Sequence, residues 1–311
     1  METEMIEDIA YVHYRVSTLQ KTAEFLRDFG LLEAGVVGNR HYWKGRGSYP
    51  FCYVAEEGEP SFVGIGFRAE SVEALKALSE REGVPLVDSN APGGHKSIRL
   101  VDPDGWEIEI LAGGKPTAAV PAARDPMTIN YGVTKNRIDA YQRLRVEPSE
   151  ILRLGHLVLN VTDITKSLPW YQEKLGLLVS DEIYDDIHDR PFGAFCRLNR
   201  GETPVDHHSL GLFGIGKKGI HHASFEVQDF DAVQTGHYAL DKKGWKHQFG
   251  IGRHVIGSQV FDYWRDPDGF RVEHFCDGDM LTSAPQPHRT NLTSPDAVHQ
   301  WGPEVPQDFF D

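Results

Sequence analysis

The chain has 311 residues, 40% of them apolar and 25% charged, enough to bury a real core in one large or two ordinary domains. Its formal charge of −14, from 46 acidic against 32 basic residues, excludes nucleic acid or an anionic membrane as a main partner, because both need a positive surface. No run approaches the roughly 20 apolar residues of a membrane span. The three cysteines, Cys52, Cys196 and Cys276, make neither a CxxC pair nor a disulfide framework. A reducing, cytoplasmic setting is therefore expected, and METEMIEDIAYVHYRV carries no sign of a secretory leader.

Taken in chain order, the predicted elements repeat. AYVHYRVSTLQKTAEFLRDFGLLEAG, from Ala10, predicts an alternating strand, an amphipathic helix and a left-handed stop at Gly30. VGIGFRAESVEALKALSEREGVPL, from Val63, predicts the same pair with its stop at Gly83, and VDPDGWEIEI at 101–110 then predicts a hairpin. AGGKPTAAVPAARDPM, rich in Ala, Pro and Gly, reads as a linker. Beyond it LGHLVLNVTDITKSLPWYQEKLGLLVSD, from Leu154, repeats the first pair with Gly176 as its stop. IHHASFEVQDFDAVQTGHYALDKKGWKH, from Ile220, repeats the second with Gly244, and FDYWRDPDGFRVEH at 261–274 repeats the hairpin. In each DPDG turn Pro sets φ and Asp-Gly supplies the positive φ that closes it. The chain thus divides into strand–helix–strands units starting near 5, 60, 150 and 218, which form two similar α+β domains. Their expected limits are 1–112 for the first and 150–278 for the second, with a bridging segment at 113–149 and a Pro-rich tail at 279–311 that could cover a site.

Twelve of the fifteen histidines follow residue 150. His188, His237, His247, His288 and His299 have polar neighbours and are expected on the surface. Histidines inside apolar strands are more informative, because an imidazole buried without a partner is costly. Aligning the repeats strand by strand sets His156 opposite Tyr11, His222 opposite Gly64, and Glu273 opposite Glu109. The second half therefore offers two imidazoles and a carboxylate, the facial set suited to a divalent iron-type metal with positions left open. A closed structural zinc site would more often use four ligands and cysteine. The first half lacks two of the three ligands and is expected to bind no metal. Alternation predicts that His221 points away from His222. A five-residue loop from Asp266 to Phe270 would set Tyr263 directly opposite Glu273 on one face of the sheet; a four-residue loop would not.

GHLVLNV, IHHASFEV and DPDGFRVEHF, with the duplicated unit, resemble the two-domain type I extradiol catechol dioxygenases of the vicinal oxygen chelate (glyoxalase–bleomycin resistance–dioxygenase) superfamily. The resemblance spans nearly the whole chain and is specific in the second half. It implies four βαβββ modules paired into two domains, each an open, barrel-like sheet with flanking helices. The first domain would be a vestigial, metal-free copy. Further implied are metal ligands at His156, His222 and Glu273, an acid–base histidine at His208 rather than His207 in VDHHSLGLF, and substrate-contacting His254 and Tyr263. The implied cofactor is Fe(II), with Mn(II) possible. The implied partners are a catechol and O2, in a homo-oligomer resembling the family's tetramers. The expected reaction opens a substituted or bicyclic catechol beside the diol, giving a muconic semialdehyde-type product. Such chemistry suits the residue types: the metal orients the reactants, and a histidine with a pKa near neutrality moves the proton.

The fold also hosts other chemistries. A metal-dependent lyase or isomerase would usually draw ligands from two modules with an extra glutamate and would not need His208, His254 and Tyr263 together. A metal-free binding protein would leave the second half's ligands unexplained. Trp264, Phe275 and Trp301 fit either a large ring substrate or plain core packing.

Overall fold

The computed structural model describes residues 5–294 and 298–309. Its first half runs β1 (Ile6–Val16), α1 (Leu19–Phe29), β2 (Leu32–Val37), β3 (Arg40–Lys44) and β4 (Tyr53–Glu57). The same pattern follows in β5 (Ser61–Ala69), α2 (Val72–Glu82), β6 (Val87–Asp88), β7 (Lys96–Val101) and β8 (Glu107–Ala112). The second half repeats it in β9 (Ile151–Val161), α3 (Ile164–Leu175), β10 (Leu178–Asp185), β11 (Arg190–Arg197), the short β12 (Val205–Asp206) and β13 (Leu210–Gly214). Its last module is β14 (Gly219–Val227), α4 (Phe230–Lys242), β15 (Lys246–His254), β16 (Val260–Arg265) and β17 (Arg271–Cys276). The tail adds β18 (Met280–Leu281), β19 (His288–Asn291) and β20 (His299–Trp301).

The elements follow from local chemistry. In α1 the buried residues Thr22, Phe25, Leu26 and Phe29 recur at helical spacing and form one inward stripe. Ser71, Asp163 and Asp229 cap the other three helices by accepting from backbone N–H groups. Gly30, Gly83 and Gly176 end their helices in the left-handed conformation. Gly244 (φ +76°) sits one residue past the end of α4, which Lys243 caps.

The first sheet has eight strands in the order β2-β3-β4-β1-β5-β8-β7-β6. The second has ten, β19-β10-β11-β13-β9-β14-β17-β16-β15-β20. Each is built around an antiparallel pair of first strands, β1 with β5 and β9 with β14. The tail thus borders the second sheet on both edges, with β19 running parallel to β10 and β20 antiparallel to β15. Within the tail, residues 295–297 and 310–311 lie outside the described residues. Segment 113–150 contains no regular element. It is anchored where Met127 N donates to Asp229 Oδ2 at 3.1 Å, beside an Arg124–Asp229 ion pair.

One hydrophobic cluster runs through both halves, from Ile6, Phe25 and Ile108 to Leu157, Phe225 and Trp264. The halves also clasp each other through their DPDG turns. Thr162 N donates to Asp104 Oδ2 at 3.0 Å, and Ser17 N donates to Asp268 Oδ2 at 3.0 Å, so each turn reaches the opposite half at equivalent positions. Tyr171 adds a hydrogen bond to Asp102 (2.9 Å), and Tyr14 packs its ring 4.7 Å from that of Phe270. His274 Nε2 contacts the Phe29 carbonyl at 2.7 Å while the two rings stack at 4.0 Å.

Two histidines expected on the surface are not free there. His237 on α4 and His247 on β15 converge on the fully buried carboxylate of Asp262, at 3.1 and 2.9 Å. Trp264 Nε1 donates to the same carboxylate at 2.6 Å. Asp262 is the reason: it lies on the opposite face of β16 from Tyr263, and its charge in the interior requires partners. Burial would raise the Asp262 pKa, but His237 and His247 hold it below the ordinary 3.8. The hydrogen bond to Asp262 raises the His237 pKa above 6.5. The carboxylate's contribution is lost as pH falls through its lowered value, and that of His237 as pH rises through its raised one, so the cluster stabilises most between roughly pH 4 and 6.5. Replacing Asp262 with Ala is expected to destabilise the fold by about 3 kcal/mol in urea unfolding, because the buried donors lose their acceptor.

Candidate metal centre and active-site cavity

β9, β14 and β17 lie side by side in the second sheet and present His156, His222 and Glu273 to one point. His156 Nε2 and His222 Nε2 lie 3.3 and 3.4 Å from Glu273 Oε2, and 3.4 Å from each other. This nearly equilateral triangle matches ligand atoms each about 2.1 Å from one ion, whose mutual spacings are about 3 to 3.4 Å. Glu273 is fully buried, and neither of its oxygens has a hydrogen-bond partner. A buried carboxylate left in this way needs a cation. Burial would raise the Glu273 pKa, but the imidazoles of His156, His254 and His222 around it keep it well below the carboxylate range. Burial pushes His222 well below its ordinary value, into the neutral form a metal ligand requires. The residues present fit a divalent metal.

The hairpin register is the one expected for a five-residue loop: Tyr263 pairs with Glu273 and Arg265 with Arg271. Asp266 fixes that loop, its Oδ1 accepting from Asp268 N at 3.0 Å and Phe270 N at 2.8 Å. Tyr263 therefore stands beside the triangle, its hydroxyl 2.8 Å from His254 Nε2. His254 in turn lies 3.8 Å from Glu273 Oε1 and holds its Nδ1 3.0 Å from the Val298 carbonyl, in the tail.

His208, just before β13, sets its ring 4.1 Å from that of His156, tilted by 50°, and lines the same cavity. His207 turns away, its Nε2 2.7 Å from Asp181. Burial pushes the His208 pKa well down. All six residues singled out in the sequence therefore meet in one place.

The cavity measures about 190 Å³. Its walls are Phe192, Phe195 and Phe213 from the sheet, Ile256 from the loop after β15, and Leu292, Val298 and Phe309 from the tail. Among the described residues the lining contains no Lys or Arg. Trp264, Phe275 and Trp301 are absent from it: Trp264 is buried beneath α4, Phe275 packs 5.1 Å from the His156 ring, and Trp301 is exposed.

His221 departs from the alternation expected of it. A bulge shifts the β9–β14 register between Ile220 and His222, and His221 lines the cavity with Nδ1 2.6 Å from His222 Nδ1. Nothing in the strand pattern signals a bulge there. The contributions of Asp181 and Phe309, distant in sequence, were equally invisible; the paired histidines were the only clue to the first.

At the equivalent point of the first half, the Tyr11 hydroxyl donates to Glu109. Gly66 permits this, because a β-carbon there would lie 2.1 Å from the Tyr11 ring. Tyr42 and Phe51 fill the remaining space, with ring centroids 5.0 Å apart.

Residues 153–274 match the model of the Glyoxalase/Bleomycin resistance protein/Dioxygenase superfamily. Metapyrocatechase 2 of Cupriavidus necator is 31% identical over 227 residues, 73% of this chain and 67% of that protein. An iron-dependent extradiol dioxygenase of Rhodococcus jostii is 32% identical over 153 residues, covering 48% of this chain and half of that protein. Among solved structures, the Mn(II)-bound glyoxalase from Novosphingobium aromaticivorans superposes with a TM-score of 0.79 at 24% identity over 98% of this chain and 94% of that one, a likeness of fold. The chain belongs to the Glyoxalase/Bleomycin resistance protein/Dioxygenase superfamily. Within it, the chain is an enzyme of the extradiol ring-cleaving dioxygenase class, dependent on a catalytic metal ion.

Proposed function

We propose that this enzyme opens a neutral, apolar-substituted catechol beside its diol, with Fe(II) held by His156, His222 and Glu273; Mn(II) fits the same donors. The observation that carries this reading is the buried ligand triangle at one end of an apolar cavity, ringed by His208, His254 and Tyr263. When bound, the metal would take both catechol oxygens, leave an adjacent position for O2 and stabilise developing negative charge. The protein supplies the rest. Phe192, Phe195 and Phe213 hold the ring and exclude water. The hydrogen-bonded pair Tyr263–His254 faces the substrate oxygens, and His208 takes and returns a proton at Nε2.

In the proposed organisation residues 1–112 form a metal-free domain, 150–278 the catalytic domain and 279–311 a covering tail. Homo-oligomer formation is supported by exposed Ile129, Tyr131, Val133 and Ile138 along the bridging segment. Three buried, unpaired cysteines support a reducing, cytoplasmic setting. Among the described residues no helix is long and apolar enough to cross a membrane.

The test is anaerobic reconstitution with Fe(II), followed by oxygen uptake and visible absorbance across catechols. One O2 per catechol and a yellow product are expected. Alkyl- or aryl-substituted catechols should exceed a carboxylated catechol in kcat/KM by at least roughly 10²-fold, since a carboxylate entering this cavity meets no cationic side chain. Bound metal with no uptake would favour the lyase or isomerase chemistry of the same superfamily.

A further inference from the structure

The chain contains two His-His pairs, at 207–208 and 221–222, and in each the two Nδ1 atoms face each other, at 3.1 and 2.6 Å. At the second pair, metal ligation through His222 Nε2 requires that Nδ1 carry the proton, and His221 Nδ1 is placed to accept it. The first pair repeats this geometry without a metal, and a carboxylate stands at its outer end. Asp181 Oδ2 lies 2.7 Å from His207 Nε2.

An ionised carboxylate can only accept. His207 Nε2 therefore carries the ring's proton, and Nδ1 is left to accept. The partner 3.1 Å away, His208 Nδ1, must then be the donor. His208 is left with a lone pair on Nε2, its remaining nitrogen, and its ring lines the metal cavity. We propose that Asp181 and His207 are positioning residues: they hold His208 in the Nδ1–H tautomer, so that its free Nε2 serves as the proton acceptor at the metal site. This inference rests on the reading of His208 as the acid–base residue.

The surroundings are built to hold His207 still. Its carbonyl accepts from Ser180 Oγ at 2.6 Å, and its N–H donates to the Asp279 carbonyl at 2.9 Å. The buried Arg197 guanidinium fixes Ser180 in turn, at 3.1 Å. Gly257, at φ +80°, leaves room for the ring, because a β-carbon there would lie 3.2 Å from His207 Nδ1. A residue serving only as packing would not need a carboxylate at its far nitrogen.

The test is Asp181→Asn. The Asn amide can donate to His207 Nε2, which reverses the chain: His207 Nδ1 becomes the donor and His208 carries its proton on Nε2. ¹⁵N-histidine NMR of the Zn(II)-loaded protein reads the tautomer without turnover. In the wild type His208 is expected as Nδ1–H; in the variant the assignment should switch. In the iron-loaded enzyme kcat should fall about 10²-fold, the lower end of what general acid–base catalysis contributes, with KM and metal content unchanged. Asp181→Glu should keep the wild-type tautomer and recover most of kcat, and His207→Gln offers a second route should Asp181→Asn fold poorly. A His208 tautomer unchanged in Asp181→Asn, or a wild-type His208 already protonated on Nε2, overturns the proposal. A tautomer switch in a protein that cleaves no catechol upholds the positioning role and removes the dioxygenase reading instead.

Discussion

Alanine at His156 or Glu273 is expected to bring metal content from one ion per chain to nearly none while the fold survives. Both side chains are buried, yet each lies at a strand position whose backbone pairing stays intact without it. Losing one corner of the triangle leaves two donors, too few to hold a divalent ion against water. The two variants should differ without metal. Removing His156 takes one imidazole from a carboxylate that has no hydrogen bond, and should cost the apoprotein about 1–3 kcal/mol. Glu273→Ala removes the buried charge itself and should cost the apoprotein less. In the wild type, metal at 100 times its Kd should add about 2.7 kcal/mol to unfolding, and in either variant nothing. Metal analysis with thermal unfolding in the presence and absence of metal checks this; one ion per chain retained in both variants would move the centre elsewhere.

His208→Ala should have the second largest effect and the opposite signature: full metal content, near-normal substrate binding, and kcat lower by about 10²- to 10⁴-fold. His208 donates nothing to the ligand triangle, but its ring lies 4.1 Å from His156 on the cavity wall. Burial keeps it neutral and therefore able to accept a proton. Anaerobic substrate titration combined with steady-state kinetics separates binding from turnover. Unchanged kcat would transfer the acid–base role to another group, with His254 next in reach of the substrate oxygens.

The metal triangle was legible because the duplication supplies an internal control: Tyr11 and Gly64 mark the strand positions at which His156 and His222 bring imidazoles, while Glu109 repeats the carboxylate of Glu273. The face of Tyr263 depended on a choice between a four- and a five-residue loop that the sequence left open; the five-residue Asp266–Phe270 turn settles it, since period-2 alternation carries the register outward from there. His221 was misread for the same reason, as one extra residue in β14 breaks that alternation and leaves no mark in a run of strand-forming residues. Asp181 reaches His207 across 26 positions through the β10–β11 and β11–β13 pairings, a route that no local pattern records. The tail strands β19 and β20 are four and three residues long, lack alternation, and exist because the sheet edges offer them partners.

The crossed turns bear on how such a molecule can age. With Asp104 holding Thr162 and Asp268 holding Ser17, neither half can change its backbone alone, because Ser17 of the first anchors the turn that presents Glu273. Discarding the first half altogether would loosen the Glu273 hairpin at its tip, so each half serves as a splint for the other.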